Sequence, residues 1–299
     1  MKYLISLVFF FIICNESFAQ RGKLMTNSNI SGAIGTATYY GDLSPYRYAF
    51  KGLLRSSSFN TSFNYTKEVN ERRAHSFGIH FTELRGSDFK YNQNSISVPA
   101  HYLRGLHFRN QTLQITFQEK IYLTEKQSNL SSRRNNFLPY VAVGAGLLSN
   151  NPSAREPFDG KKGSWRSLRS LNTDGNSKKY SLVVPYLALS VGFNKKLNKH
   201  FDFKVQGNLN YSFTDYLDDV SKTPYLKQGD FTNPMSYILH NRMNEPFDAL
   251  TGKSREAILL NSTINAPTNK SNFRGDNSTI ARRFDTFVTT EFGIVYWLN

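Results

Sequence analysis

From Ser57 onward, hydrophobic and polar residues alternate with a period of two. Phe59, Thr61, Phe63 and Tyr65 are interleaved with Ser58, Asn60, Ser62 and Asn64; His75, Phe77, Ile79 and Phe81 with Ser76, Gly78, His80 and Thr82; Leu113, Ile115 and Phe117 with Gln114, Thr116 and Gln118. The longest series runs Phe201, Phe203, Val205, Gly207, Leu209, Tyr211, Phe213, with Asp202, Lys204, Gln206, Asn208, Asn210, Ser212 and Thr214 between them. Successive side chains of a strand point to opposite faces, so each segment has one apolar and one polar face. The alternation predicts eight strands, at about 30–41, 56–67, 73–86, 107–123, 137–149, 180–194, 200–215 and 282–298.

Most of these runs have the roughly 9–11 or more residues that a tilted strand needs to cross a bilayer, longer than the five or six usual in soluble sheets. Asn, Gln, Lys and Asp on one face suit a small barrel's interior, and the apolar face suits lipid. Closure is required because an open edge would leave backbone groups unpaired in hydrocarbon. The expected fold is therefore all-β: an eight-stranded antiparallel transmembrane β-barrel with long extracellular loops. Two segments are less regular. Val141 to Gly146 is apolar or small on both faces, and Pro185 predicts a bend or bulge because proline has no N–H for the ladder. Past the first 13 residues no apolar run is long enough for a membrane helix.

Connection lengths alternate. Glu68–Arg72 and Lys195–Lys199 are short, and Thr124–Asn136 is longer but polar; 42–55, 87–106, 150–179 and 216–281 are long. In bacterial barrels short turns face the periplasm, which puts both termini there. Within the fourth long connection, Phe247 to Leu260 has mixed helical spacing and predicts a short helix over the mouth, with Pro224, Pro234, Pro246 and Pro267 breaking the rest.

Met1-Lys2, the apolar run Tyr3–Ile13 and Ser17-Phe18-Ala19 read as a signal peptide over 1–19, leaving 20–299 as the barrel. Cleavage after Ala19 would remove Cys14, the single cysteine; a lipoprotein signal acylated at Cys14 is the competing reading, disfavoured by bulky Ile13. One cysteine excludes a disulfide framework and a cysteine-based zinc site. With 17 Tyr, 24 Phe and 2 Trp the chain is too aromatic for a disordered tail. The net charge of +15 on an exported chain points away from nucleic acid and toward phosphate-rich neighbours, namely outer-membrane lipid and lipopolysaccharide. Arg155, Lys161, Lys162, Arg166, Arg169, Lys178 and Lys179 in the third long loop fit lipopolysaccharide phosphates, or equally a solvated loop.

Three patches carry a family resemblance. Tyr39-Tyr40-Gly41-Asp42-Leu43 closes the first strand. Pro139-Tyr140-Val141-Ala142-Val143-Gly144-Ala145-Gly146-Leu147 opens the fifth and is followed by Asn151-Pro152-Ser153-Ala154. Phe213-Thr214-Asp215-Tyr216-Leu217-Asp218-Asp219-Val220-Ser221 closes the seventh. In this order they resemble the PorG-like family of OmpA-type outer-membrane barrels, which includes the outer-membrane subunit of the type IX secretion system. The resemblance implies a non-enzymatic barrel without cofactor that associates with a periplasmic ring of PorK-like lipoprotein and PorN-like protein. Topology and charge then mark Lys67, Arg72, Arg73, Arg133, Arg134, Lys195, Lys196 and Lys199 as the periplasmic contact surface.

Asp215, Asp218 and Asp219 form the densest carboxylate group. They read as turn formers accepting backbone N–H bonds, with a calcium site as the alternative; Asp42 reads the same way. His80 falls on the inward phase and His75 on the outward one. No nucleophile–base–orienter set accompanies them, so a lipid or peptide hydrolase is the minor alternative, and a structural or small-solute barrel the other. Inward Lys120, Asp202, Lys204 and Glu291 must be paired inside, which would plug the lumen.

Overall fold

The computed structural model describes residues 28–44, 57–90, 103–125, 135–175, 178–221, 223–256, 259, 274–275 and 284–298. The signal segment 1–19 with Cys14, and Arg133 and Arg134, lie outside the described residues. Eight long strands are present: β1 Ser28–Tyr40, β2 Ser58–Glu68, β3 Arg73–Ser87, β4 His107–Tyr122, β5 Phe137–Ser149, then β8 Val183–Lys196, β9 Phe201–Ser212 and β10 Thr286–Leu298. Two short strands, β6 Ser153–Arg155 and β7 Trp165–Ser167, form an extra hairpin between β5 and β8.

All pairings are antiparallel. The order β3-β2-β1-β10-β9-β8-β5-β4 is closed on itself by the β3–β4 ladder, which runs from Arg73↔Ile121 to Ser87↔His107. First and last strands pair along their whole length, Ser28↔Leu298 to Tyr40↔Thr286. No edge of the eight-stranded cylinder is left open. Among the described residues no helix is long and apolar enough to cross a membrane.

The alternation in sequence becomes an inside and an outside. Ile34, Phe63, Phe77, Ile115, Leu189, Val191 and Phe292 project outward, with Ile34 and Val191 each 64% exposed. Inward residues are polar and shielded: Asn60, Asn64, Thr82, Thr112, Gln114, Gln118, Gln206, Asn208, Asn210 and Glu291. Exposing large apolar groups while burying amides inverts the rule for a water-soluble domain, and hydrocarbon outside is the environment that makes it favourable. Aromatic rings gather at both rims: Phe137 against Phe193 and Phe201 against Tyr296 at one end, Tyr211, Phe213 and Phe284 at the other.

Glu291 is the node of the lumen. Lys204 Nζ lies 3.2 Å from Oε2, His80 Nδ1 3.3 Å from Oε1, and Asn60 Nδ2 and Asn208 Nδ2 donate to Oε1 at 3.2 and 3.4 Å. Asp202 accepts from Trp297 Nε1 at 2.7 Å, and Lys120 Nζ donates to Thr66 at 3.3 Å above the Tyr140 ring. The four inward charges inferred from sequence are thus all engaged. A void of about 10 Å³ remains among His80, Asn60, Gln114, Gln118 and Asn208, room for one water molecule. His80 Nε2 is without a protein partner, and a single water there would satisfy it.

Two expectations about the strands are corrected. Pro185 causes no bulge: the β5–β8 register is unbroken from Phe137↔Lys195 to Ser149↔Val183. Its carbonyl accepts from Phe213 N at 3.0 Å, so its missing N–H faces a point just past the end of β9, where no ladder bond is lost. Lys195 and Lys196 are not turn residues but the last two positions of β8, paired with Phe203 and Asp202. The irregular β5 pattern also has a cause. Inward Gly144 and Gly146 leave the space taken by Gln118 and the Tyr186 ring.

Glu291→Ala removes the acceptor shared by four donors and strands a buried ammonium. It should cost about 3–5 kcal/mol, read as a lower urea midpoint in detergent micelles. Combining it with Lys204→Met should recover part of that loss; no recovery would place the cost elsewhere.

Candidate functional site

The most constructed region is the mouth at the long-loop end. Here β1 ends at Tyr40, and Gly41 must lack a side chain because a Cβ would overlap the Tyr39 hydroxyl and Asp285 Oδ1. Tyr39 donates to Asp285 Oδ1 at 2.6 Å, and Leu217 N donates to Asp285 Oδ2 at 2.8 Å. The chain after β9 turns back into the mouth, where Leu217, Asp218, Asp219 and Val220 are all buried. Asn110 Nδ2 holds the Leu217 carbonyl at 2.9 Å and Asn150 Oδ1 at 2.7 Å, while Asn150 Nδ2 holds the Tyr216 carbonyl at 3.1 Å. Leu43, Leu106, Leu217 and Val220 then pack onto Tyr39, Leu84, Phe108, Leu148, Val184, Tyr186 and Phe287 as an apolar stopper.

Two of the three sequence patches therefore converge, together with Asn151-Pro152 from the third. Asn151 N donates to Asn110, and the Pro152 carbonyl accepts from Leu168 N at 2.9 Å. Pro139 and Tyr140 do not join them. Tyr140 packs against Tyr122 toward the other end and donates to Gln206 at 2.8 Å. Asp285 is the central residue that sequence reasoning missed; it sits alone before β10, with no pattern to distinguish it.

The aspartates behave as turn and loop ties. Asp218 Oδ1 accepts from Val220 N at 2.9 Å and Oδ2 from Leu43 N at 3.1 Å. Asp219, at φ 68, accepts from Tyr180 OH at 2.8 Å and from Thr173. Thr214 Oγ1 accepts from Tyr216 N at 3.2 Å, so Asp215 lies within a side-chain-closed turn. Among the described residues no cluster of carboxylates or histidines has the arrangement of a metal site. Burial and the nearby Asp42 carboxylate push Asp218 well above the usual carboxylate range, and burial with Asp218 does the same to Asp285. Asp219 is pushed up to about 6 by burial, against the pull of Arg274.

Above the stopper lies a lid stitched by four buried arginines. Arg104 forms a bidentate pair with Asp88, at 2.8 and 2.7 Å, and donates to the carbonyls of Arg274 and Asp42. Arg274 reaches Asp174 and Asp219, both at 3.5 Å, and Arg242 pairs with Glu245 at 2.7 Å. Arg255 donates to the carbonyls of Arg242, Glu245 and Leu103. Each guanidinium carries five donors in a rigid fork, so one residue can close several loop segments at once.

Two short helices complete the lid: α1 Leu168–Leu171 and α2 Pro234–His240. Pro234 begins α2 at its first turn, where a missing N–H costs nothing, and Asn233 caps Met235 N. It therefore starts a helix rather than breaking one. The helix expected over Phe247–Leu260 is not what forms across 247–255. That stretch is a tight turn closed by the Phe247↔Ser254 bridge, with Asp248 accepting from Leu250 N and Thr251, and Gly252 at φ 75.

His240 is a buried tie. Its Nδ1 lies 2.7 Å from the Thr173 carbonyl and its Nε2 accepts from Leu226 N at 2.9 Å, a pattern only the neutral ring can satisfy. Burial and Arg274 push its pKa down to about 3. Trp165 is clasped between Arg109 and Arg155, whose guanidinium carbons lie 4.2 and 5.1 Å from its ring. Much of the third loop's charge is spent internally: Arg166 on Glu156, Arg169 on the Tyr180 carbonyl and Lys179 on the Ser170 carbonyl. Lys161, Lys162 and Lys178 face solvent.

At the opposite rim Arg72 pairs with Glu125 at 2.7 Å and Arg73 with Glu119 at 3.2 Å, while Lys67, Lys195 and Lys199 are exposed. His75 is on the outer face and His80 in the lumen beside Glu291.

No family model matches the chain, and no curated protein matches it in sequence. Solved structures do. Neisserial surface protein A matches with a TM-score of 0.39 and 10% identity, over 90% of this chain and 96% of that one. The outer membrane protein OprG from Pseudomonas aeruginosa matches at 0.38 and 12%, over 93% and 98%. Ail of Yersinia pestis, in complex with the heparin analogue sucrose octasulfate, matches at 0.35 and 12%, over 91% and 98%. The likeness is one of fold, and no role passes from these proteins to this chain.

Two outcomes test the lid. Arg104→Ala strands Asp88 and should expose the outer loops to protease while the heat-resistant mobility of the folded barrel is retained; unchanged protection would remove Arg104 as a tie. Because the folded pKa of His240 lies below its unfolded value near 6.5, the stability it contributes is lost as pH falls from about 6.5 toward 3. The raised Asp219 has the opposite slope, losing stability as pH rises from about 4 to 6. Hydrogen exchange around Leu226 should therefore rise on acidification more steeply in wild type than in His240→Gln; equal slopes would refute the histidine's part.

Proposed function

We propose that the chain is an integral barrel of the bacterial outer membrane, exported through a cleaved signal peptide, and that it serves type IX protein secretion as a non-enzymatic component. In this role it associates with a periplasmic ring of PorK- and PorN-like proteins. One observation carries the non-channel part of the reading: the lumen is filled by paired polar side chains around Glu291 and stopped at the mouth by Leu43, Leu106, Leu217 and Val220. A lumen so filled leaves the work of the protein to its surfaces.

The outward apolar belt with aromatic rims supports membrane insertion. The resemblance of 39–43, 139–154 and 213–221 to the PorG-like family supports the secretion role. The exposed cations Lys67, Lys195 and Lys199, with Arg72 and Arg73 beside them, support the short-turn rim as the contact surface for the ring. Toward the outside, Lys161, Lys162 and Lys178 are placed to meet lipopolysaccharide phosphates. A second reading, a structural barrel with no secretion role, is favoured by the lid's own pairing, since most of its buried arginine donors are used within the chain.

A crosslinked pull-down of the tagged protein from solubilised outer membranes should recover the ring proteins. Reversing Lys195 and Lys199 to Glu together should reduce that recovery. Recovery of lipopolysaccharide and porins alone, with ring proteins present in the lysate, would leave the structural reading. In planar bilayers the purified protein should be electrically silent; steady channels would overturn the closed lumen.

A further inference from the structure

The outward face of β3 and β4 carries three apolar pairs, Phe77↔Phe117, Ile79↔Ile115 and Phe81↔Leu113, with charges beyond them at both ends. The two ends are built differently. Toward the short turns Arg73 meets Glu119 at 3.2 Å, so opposite charges neutralise each other. Toward the long loops Arg85 stands directly opposite Arg109 in the ladder. Residues opposed in this way have Cβ atoms about 4.5–5.5 Å apart, and like charges there are destabilising.

Glu83, on the same face, pairs with Arg85 and accepts from Gln111 at 3.2 Å. One carboxylate thus stands beside two guanidinium groups. Among the described residues no carboxylate pairs with Arg109. Its guanidinium lies 4.2 Å from the centre of the Trp165 ring, and its Nε is buried without a hydrogen-bond partner. The β6–β7 hairpin, joined to β4 at Arg109↔Ser153, brings Trp165 there and adds Arg155 as a third cation on that ring.

The depth of this cluster is set by the strands. Arg85 is six residues beyond Ile79, the middle of the apolar series. That is about 20 Å along the strand, and about 15 Å along the barrel axis at a tilt of about 40°. Half of a bilayer's hydrocarbon core is also about 15 Å. The opposed arginines and the indole therefore lie where lipid headgroups begin, on the long-loop side.

We propose that Arg85, Arg109 and Trp165 form a binding site for a phosphate of lipopolysaccharide, with its acyl chains running down the wall along Phe81 and Leu113. A guanidinium fork holds a phosphate through paired N–H···O bonds, and one phosphate shared by both arginines turns their repulsion into a common attraction. The proposal rests on the membrane reading above, with the long loops outward, and moves the lipopolysaccharide contact onto the barrel wall. Position commits the occupant: the site sits directly above an apolar wall, at headgroup depth, in the leaflet of the long-loop end.

The test is native mass spectrometry of the protein extracted from outer membranes in mild detergent and titrated with lipid A. Dephosphorylated lipid A, phosphatidylglycerol and competing inorganic phosphate form the other arms. Lipid A should bind, and removing its phosphates should weaken binding several-fold. Arg85→Gln with Arg109→Gln should weaken lipid A binding as much, while heat-resistant mobility shows the barrel intact. Arg109→Gln alone, which leaves the Arg85–Glu83 pair in place, should lose part of it. Arg73→Gln, at the short-turn end, should bind as wild type does. Equal lipid A binding by the double variant, or equal binding of the dephosphorylated lipid, would overturn the proposal. So would inorganic phosphate or phosphatidylglycerol binding as tightly as lipid A. Loss confined to a variant with Lys161, Lys162 and Lys178 all changed to Gln would return the contact to those lysines and remove this site. Recovery of the protein outside the membrane fraction would instead overturn the membrane reading, and this site with it.

Discussion

Everything in this molecule depends on the ladder that joins β3 to β4 and closes the cylinder. A strand whose outer side chains require hydrocarbon has no water available for its backbone, so each N–H and C=O must find a partner on a neighbouring strand. Closure meets that demand and at the same time creates a sealed interior. The interior then has its own rule. Amides and charges cut off from solvent must bond one another, and Glu291 with Lys204, His80, Asn60 and Asn208 is how the chain obeys it.

The same demand is repeated at the long-loop mouth, by different means. Loops have irregular backbones whose carbonyls do not meet in ladders. Burying them under a lid would be costly without dedicated donors. Arg104, Arg255 and Arg274 supply those donors to carbonyls of distant segments, and Asn110 and Asn150 do so for the chain entering the mouth. The carboxylates there accept from backbone N–H groups, hydroxyls and Arg274.

Much of this was legible in the residues. The eight strands follow from alternation, because a period of two is visible without knowing any neighbour. Inward placement of His80, Lys120, Asp202, Lys204 and Glu291 follows from the same phase. Three features misled. Pro185 looked like a break, yet its missing donor faces the place where β9 has already left the sheet. Pro234 looked like an interruption and begins α2 instead, since only position within the helix decides whether proline harms it. Of Phe247–Leu260, Asp248 and Gly252 turn the chain across 247–255, and helix is recorded only beyond it, at Glu256 and Leu259, where Leu259 N donates to the Arg255 carbonyl.

Sequence alone thus determined the strands, their faces, the short and long ends, and the charges that had to be paired. Tertiary structure decided which charge meets which, that 39–43, 150–152 and 213–221 meet Asp285 in one stopper, and that the fourth loop is knitted by buried arginines. The physical reason is one of range: alternation and turn chemistry act between residues close in the chain. A salt bridge from Glu291 to Lys204, or a hydrogen bond from Tyr39 to Asp285, joins residues that only barrel closure brings within reach.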